Sequence, residues 1–240
     1  MRKSKVLSKL RAGKVARICC LYHPVNMFPS HAANSGYDGI WLDCEHNTWN
    51  MRELQRLLAL HKMADIDCIV RPSTLEKIKL YNLLENGATG VLVPHVSTVE
   101  RAQYVVDAIK FPPLGERGLD GAGLDNNYFL DGTNGYPEAA NRETLIGIQI
   151  ETPEALENVE EISKVKGIDL LFIGPGDLAL RLGCDMSWEE PQMIAAQDRI
   201  AKAAQSAGIT WGTISGTVED MANMIRLGAR FIAHGSDFES

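Results

Sequence analysis

Eight short apolar runs recur along the chain, and the stretches between them carry helical periodicity. This alternation restricts the fold more than any other feature. The runs are VARICCL (15–21), GIWLDC (39–44), CIV (68–70), GVLV (90–93), LIGIQI (145–150), LLFI (170–173), ITWGTI (209–214) and FIA (231–233). They lack strict polar alternation, as parallel strands buried on both faces do. The intervening stretches have start signals: Asn50 before MRELQRLLALHKM, Ser73–Glu76 and Ser97–Glu100 at capping-box spacing, Pro153 in a first turn, and Thr217–Asp220. Eight such units in 240 residues predict an α/β fold of the (β/α)8 TIM-barrel type, forming one domain over 1–240. The chain stops at Ser240, just past the eighth run, so the eighth helix is expected to be absent or beyond the C-terminus. A barrel left open in this way leans towards a homo-oligomer. The one long irregular piece, 112–143, is rich in Gly, Asn, Asp and Pro, which predicts a long loop serving as a lid or an inter-subunit arm.

Composition narrows the partners. With 24 basic and 31 acidic residues the formal charge is −7, which disfavours nucleic acid, since neutralising phosphates needs a basic face. No apolar run approaches the ~18 residues of a membrane span, so no membrane partner is expected. The basic N-terminal segment has neither a continuous apolar stretch nor a small-residue cleavage site, and it does not read as a signal peptide. The five cysteines show no CxxC spacing and read as buried thiols of a cytoplasmic protein.

In a TIM barrel the reacting groups lie beyond the C-terminal strand ends. Glu151 follows the fifth run and Asp177 the sixth, so adjacent strands would bring two carboxylates together. Nearby like charges are costly unless one is protonated or a cation lies between them. Capping of the following helix is the competing reading, above all for Glu151 before Thr152–Pro153. With oxygen ligands only, the expected cofactor is a hard divalent metal ion, Mg²⁺, Mn²⁺ or Co²⁺. In GPGD (174–177), Gly174 and Gly176 allow close backbone approach, and the following helix start offers amides to a small carboxylate or phosphate. Arg71 is a cation at the mouth of the third strand, readable also as a surface ion pair. His46, in DCEHN with Asp43 and Glu45, is the general-base candidate. His31, His61, His95 and His234 read as structural. All eleven lysines fall in the N-terminal segment or in helical stretches, which argues against an imine-forming enzyme and for metal stabilisation of an enolate.

The blocks GYDGIWLDCEH (36–46), RPS (71–73), GATGVLVPHV (87–96), PPLGERG (112–118), IGIQIET (146–152) and FIGPGDLALRLG (172–183) resemble the HpcH/HpaI aldolase/citrate lyase family. Within it they are most similar to the metal-dependent class II pyruvate aldolases, of the kind acting on 4-hydroxy-2-oxoheptanedioate or 2-dehydro-3-deoxyglucarate. The resemblance implies Glu151 and Asp177 as metal ligands, His46 as the acid/base with Asp43 as its partner acid, and Arg71 on the pyruvate oxygen. It implies Gln149 in the substrate pocket and the amides around Gly176 and Asp177 as the seat of the pyruvate carboxylate. It also implies hexamers that exchange the last helix. Two departures stand out: His95 follows Pro94 where an apolar residue is commoner, and GLDGAGLDNNYF replaces an arginine- and alanine-rich stretch bordering the aldehyde pocket.

The expected reaction is reversible cleavage of a 4-hydroxy-2-oxo acid to pyruvate and an aldehyde. One alternative is a citrate-lyase-type enzyme for CoA thioesters, for which 112–143 offers only Arg117 and Arg142 to hold phosphates. Another is a phosphosugar isomerase or epimerase using SGT (215–217) and HGSD (234–237). A binding protein without chemistry is the non-enzymatic alternative.

Overall fold

In the computed structural model, β1 (Ala16–Leu21), β2 (Gly39–Asp43), β3 (Asp67–Arg71), β4 (Gly90–Val93), β5 (Leu145–Ile150), β6 (Leu170–Ile173), β7 (Thr210–Ile214) and β8 (Phe231–Ser236) form a closed parallel barrel in sequential order. The structure describes residues 2–130 and 132–238; Met1, Asp131, Glu239 and Ser240 lie outside them. The strands match the apolar runs to within one residue at each end, except that β8 runs three residues past FIA. β8 closes on β1 with a register shift between Ile18 and Cys20. The helices are α1 (Lys5–Arg11), α2 (Phe28–Asn34), α3 (Met51–Met63), α4 (Lys77–Glu85), α5 (Val99–Ile109), α6 (Tyr136–Glu143), α7 (Pro153–Glu157), α8 (Val159–Ser163), α9 (Pro175–Leu182), α10 (Pro191–Ala207) and α11 (Val218–Arg226). None of the described helices is long and apolar enough to cross a membrane.

The two faces of each strand feed two cores. Ile40 and Leu42, Cys68 and Val70, and Ile146, Ile148 and Ile150 point outward to the helices. Ile18, Cys20, Trp41, Ile69, Leu92, Leu145, Leu170, Phe172, Phe231 and Ala233 fill the interior. Trp41, Phe172 and Phe231 meet edge to face, with ring centroids 5.3 and 5.9 Å apart. The lower end is sealed by α1, whose Val6, Leu7 and Leu10 join the interior core. Ser4 caps α1 by accepting from the Leu7 amide (3.0 Å), while Asp67 Oδ2 accepts from Ser4 Oγ (2.6 Å) and the Val6 amide (2.9 Å). The N-terminal segment is therefore a plug, a role its basic composition did not suggest.

Helix starts follow local chemistry with two shifts. Asn50 and Glu53 form the full capping box of α3, and Thr217 caps α11. α4, however, starts after Glu76 rather than at Ser73, and Thr98, not Ser97, caps α5 through the Arg101 amide (3.2 Å). The hydroxyl of Ser97 is engaged with Thr152 Oγ1 at 2.9 Å. The 112–143 segment is less irregular than expected: it holds a kinked 3-10 element, Leu124–Phe129, and then α6. As the link from α5 to β5 it lies at the N-terminal end of the barrel, where Lys62 at the end of α3 donates to the Leu124 carbonyl (2.7 Å). It cannot be a lid over this chain's own mouth. Among the described residues no helix follows β8, and a cavity of about 440 Å³ beside β1 and β8 is lined by Val15, Arg17, Tyr37, Met221 and Ile232.

His61 on α3 is structural, as read. It is fully buried, with Nδ1 2.7 Å from the Leu57 carbonyl, and burial pulls its pKa down to about 4. The folded ring stays neutral while the unfolded one protonates near its ordinary value of 6.5. Stability is therefore lost as pH falls from about 6.5 to 4, by on the order of 3 kcal/mol. His61→Leu should flatten this slope, as urea unfolding at pH 7 and pH 4.5 would reveal.

Candidate active site

Continuing each inward-facing row by two residues brings it to the C-terminal mouth. The row of Gly39 and Trp41 reaches Asp43, that of Ile69 reaches Arg71, and that of Leu145 and Gly147 reaches Gln149 and then Glu151. The register pairs Asp43 with Arg71 directly. Arg71 Nε donates to Asp43 Oδ1 (2.7 Å), Nη1 lies 3.2 Å from Glu45 Oε2, and the guanidinium stacks 4.8 Å over the Trp41 ring. Burial alone would raise the Asp43 pKa. The bond and charge of Arg71, with the Glu45 and His46 amides, outweigh it and hold the carboxyl below the usual range.

Glu151 is only 1% exposed. Its Oε1 accepts from the His95 amide (2.7 Å), and Oε2 from Gln149 Nε2. The His95 ring spans two acids, with Nε2 2.8 Å from Glu45 Oε1 and Nδ1 3.4 Å from Glu151 Oε1. His95 takes a left-handed backbone (φ 58°), uncommon outside glycine, and its amide bonds Glu151. Burial pushes the Glu151 pKa up; His95 counters this, and the charges of Glu45 and Asp177 add to the rise. Asp177 sits in the first turn of α9 and is half-exposed, 3.0 Å from Arg181 Nη1, which also donates to the Glu151 carbonyl (2.9 Å).

Of these groups, Arg71, Gln149 and Asp177 line one cavity of about 540 Å³, together with Gly174, Gly176, Tyr22, Trp41, Phe172, Trp188 and Met193. His46 is not on its wall. It is 63% exposed in a neighbouring recess of about 380 Å³, its ring nearest to Glu45 Oε2 at 3.7 Å. Asp43 does not orient that ring: its oxygens are taken by Arg71, the Glu45 amide (3.0 Å) and Asn47 Nδ2 (3.0 Å). From the sequence His95 reads as structural, without its link to Glu45 and Glu151, and Tyr22 is not singled out. The inward row Ile18–Cys20 predicts the latter, whereas the former comes from a strand-end turn with no periodic signal.

Among the described residues no group of three or more His, Cys, Asp and Glu side chains is arranged to hold a metal ion. A pair of carboxylates is what a strongly hydrated octahedral cation takes, keeping water or substrate in its other positions. Glu151 and Asp177 fit that mode: the charge of Asp177 reaches Glu151, and the buried Gln149 Oε1 lacks a hydrogen-bond partner.

Gly174 keeps this corner open, since a Cβ there would sit 2.7 Å from Gln149 Nε2 and 3.1 Å from Glu151 Cβ. Gly174→Ala should cost about 1–3 kcal/mol by overpacking. It should also displace Gln149 from Glu151 and lower turnover by up to about 10²-fold. Paired urea unfolding and activity assays check both.

Residues 25–240 match the model of the HpcH/HpaI aldolase/citrate lyase family. The chain is 34% identical, over 85% of its length and 79% of the relative's, to the 2-dehydro-3,6-dideoxy-6-sulfogluconate aldolase of Pseudomonas putida. It is 32% identical, over 95% and 85%, to the 2-keto-3-deoxy-L-rhamnonate aldolase of Escherichia coli K12. The crystal structure of an HpcH/HpaI aldolase from Desulfitobacterium hafniense DCB-2 superposes with a TM-score of 0.90 at 28% identity, covering 96% of this chain and 89% of that one. By sequence and by fold, this chain belongs to the HpcH/HpaI aldolase/citrate lyase family.

Proposed function

We propose that the protein is a divalent-metal-dependent aldolase, a carbon–carbon lyase that reversibly cleaves a 4-hydroxy-2-oxo acid to pyruvate and an aldehyde. The observation that carries this reading is that Asp177, Arg71 and Gln149 line one cavity at the barrel mouth, with Glu151 buried directly behind Gln149 and within reach of the Asp177 charge. Membership of an aldolase family supports it.

Glu151 and Asp177 would hold the cation, Mg²⁺ or Mn²⁺, which when bound polarises the substrate's 2-oxo group as a Lewis acid. The amides of Gly176 and Asp177 at the start of α9 seat the substrate carboxylate. Gln149, fixed by its bond to Glu151, lines the pocket beside the 2-oxo group. His46, working through water from its recess, takes the proton of the C4 hydroxyl. The C3–C4 bond then breaks, C4 leaves as the aldehyde carbon, and the electron pair moves into the C2–C3 enolate. Arg71, held in place by Asp43 and Glu45, stabilises the oxygen of that enolate. Protonation at C3 yields pyruvate.

Two competing readings lose their residues. Of the two candidates for CoA phosphates, Arg117 is buried at the far end of the barrel on Asp125 (2.8 Å), and Arg142, on α6 before β5 at that same end, pairs with Glu143 (2.9 Å). The candidate phosphate loops are occupied by bonds within the fold: Ser215 Oγ donates to the Thr217 carbonyl (2.7 Å), and Asp237 accepts from the Tyr22 amide at the end of β1 (2.9 Å). A cytoplasmic homo-oligomer belongs to the proposal, since Leu119, Tyr128, Phe129 and Leu130 expose apolar surface that association would cover.

The test is pyruvate release from a panel of 4-hydroxy-2-oxo acids, before and after chelation and with Mg²⁺ or Mn²⁺ restored. Release that is lost and then regained supports the reading. Release indifferent to the chelator, or absent throughout, opposes it.

A further inference from the structure

The cavity is larger than pyruvate requires. At about 540 Å³ it lies within the range of pockets that take drug-sized ligands, whereas pyruvate has only six non-hydrogen atoms. Besides Arg71, Gln149 and the Gly174–Asp177 turn, the cavity is lined by the apolar side chains of Tyr22, Phe172, Met186, Trp188, Met193 and Ile214. Met193 is fully buried and Trp188 packs on the main core, so this wall is set by the fold. Met186 is exposed at the rim, and its flexible thioether can adapt to an aromatic face.

The charges on the wall are one-sided. Arg71 is the cation among the lining residues, and Asp43 and Glu45 hold it at 2.7 and 3.2 Å, while Glu189 and Asp220 are carboxylates on the same wall beyond the cation ligand Asp177. A carboxylate, phosphate or sulfonate on the distal end of an aldehyde would meet acids and apolar rings, with no cation to spare. A neutral apolar body would bury against Trp188 and the two methionines.

Resting on the aldolase reading, we infer that the aldehyde partner is uncharged and apolar at its distal end, of the aryl or alkyl class, with Trp188 as a specificity-determining residue. The experiment is Mn²⁺-supported condensation of pyruvate with phenylacetaldehyde, lactaldehyde and succinic semialdehyde. Exchange of the pyruvate methyl protons in D₂O, followed by NMR on the same preparations, needs only the pyruvate half of the site.

The expected kcat/KM for phenylacetaldehyde is at least tenfold above that for succinic semialdehyde. Trp188→Ala should shrink the phenylacetaldehyde-to-lactaldehyde ratio tenfold or more, a ratio that partial unfolding does not move. Trp188→Arg should raise succinic semialdehyde relative to phenylacetaldehyde. Equal or better use of succinic semialdehyde by the unaltered enzyme overturns this assignment and leaves the aldolase reading standing. So does an unchanged ratio in Trp188→Ala, or methyl exchange with no condensation of any aldehyde. Absence of both exchange and condensation overturns the aldolase reading, and this assignment with it.

Discussion

Glu151→Gln is expected to reduce pyruvate release by on the order of 10²–10³, the usual consequence of removing one preorganised electrostatic stabiliser. The substitution keeps the side chain's shape and an acceptor for the His95 amide, which now bonds Glu151 Oε1 at 2.7 Å. It removes a buried negative charge whose pKa is raised by burial, Glu45 and Asp177. A carboxyl with a raised pKa destabilises the fold at neutral pH, so the variant should unfold at the same or a higher urea concentration than the parent. Loss of turnover and of Mn²⁺ affinity with stability retained is the combined signature. Lower stability would instead assign Glu151 a structural role.

Arg71→Ala should damage both function and fold. It leaves Asp43 buried with its carboxylate unpaired and Glu45 close by, and breaking a buried pair by removing one partner costs about 3–5 kcal/mol. The pH dependence should change sign at this site. In the parent, Asp43 has a lowered pKa and contributes stability that is present above its unfolded pKa and lost as pH falls through the folded one. Without Arg71, burial dominates, the pKa rises, and protonation of Asp43 stabilises the variant as pH falls. Arg71→Lys should spare much of the stability yet still lose turnover, because an ammonium cannot reproduce the fork that spans Asp43 and Glu45. Urea unfolding across pH 4 to 7, with activity measured alongside, separates these effects.

Much of this architecture was legible in the residues. Buried parallel strands announce themselves as short apolar runs, and LIGIQI and LLFI became β5 and β6 without a shift. Strand ends then pointed to Asp43, Arg71 and Glu151, because a side-chain period of two carries an inward row to the mouth, while Asp177 came from the GPGD turn that opens α9. What stayed hidden depended on contacts between distant elements. His95 and Glu45 meet only because the turns after β4 and β2 fold towards one another, and nothing local in PHV or CEH signals it. The spacing of Asp43 and His46 suggests a pair, but Arg71 on the next strand, a charged donor aligned by the β2–β3 register, takes that carboxylate instead. Ser73 lost its capping role because the chain turns once more before α4 begins after Glu76. The α1 plug did carry a signal, a Ser4 cap followed by Val6, Leu7 and Leu10 at helical spacing, masked by the lysines and arginines around it.

The account stands on a divalent cation held by Glu151 and Asp177 where a 2-oxo acid binds. Anomalous diffraction from crystals soaked with Mn²⁺ and pyruvate tests this most directly. The account predicts one strong peak bonded to both carboxylates, with pyruvate oxygens completing its coordination beside Arg71 and Gln149. A clean map between the two carboxylates, in crystals whose dissolved enzyme still releases pyruvate, would contradict it.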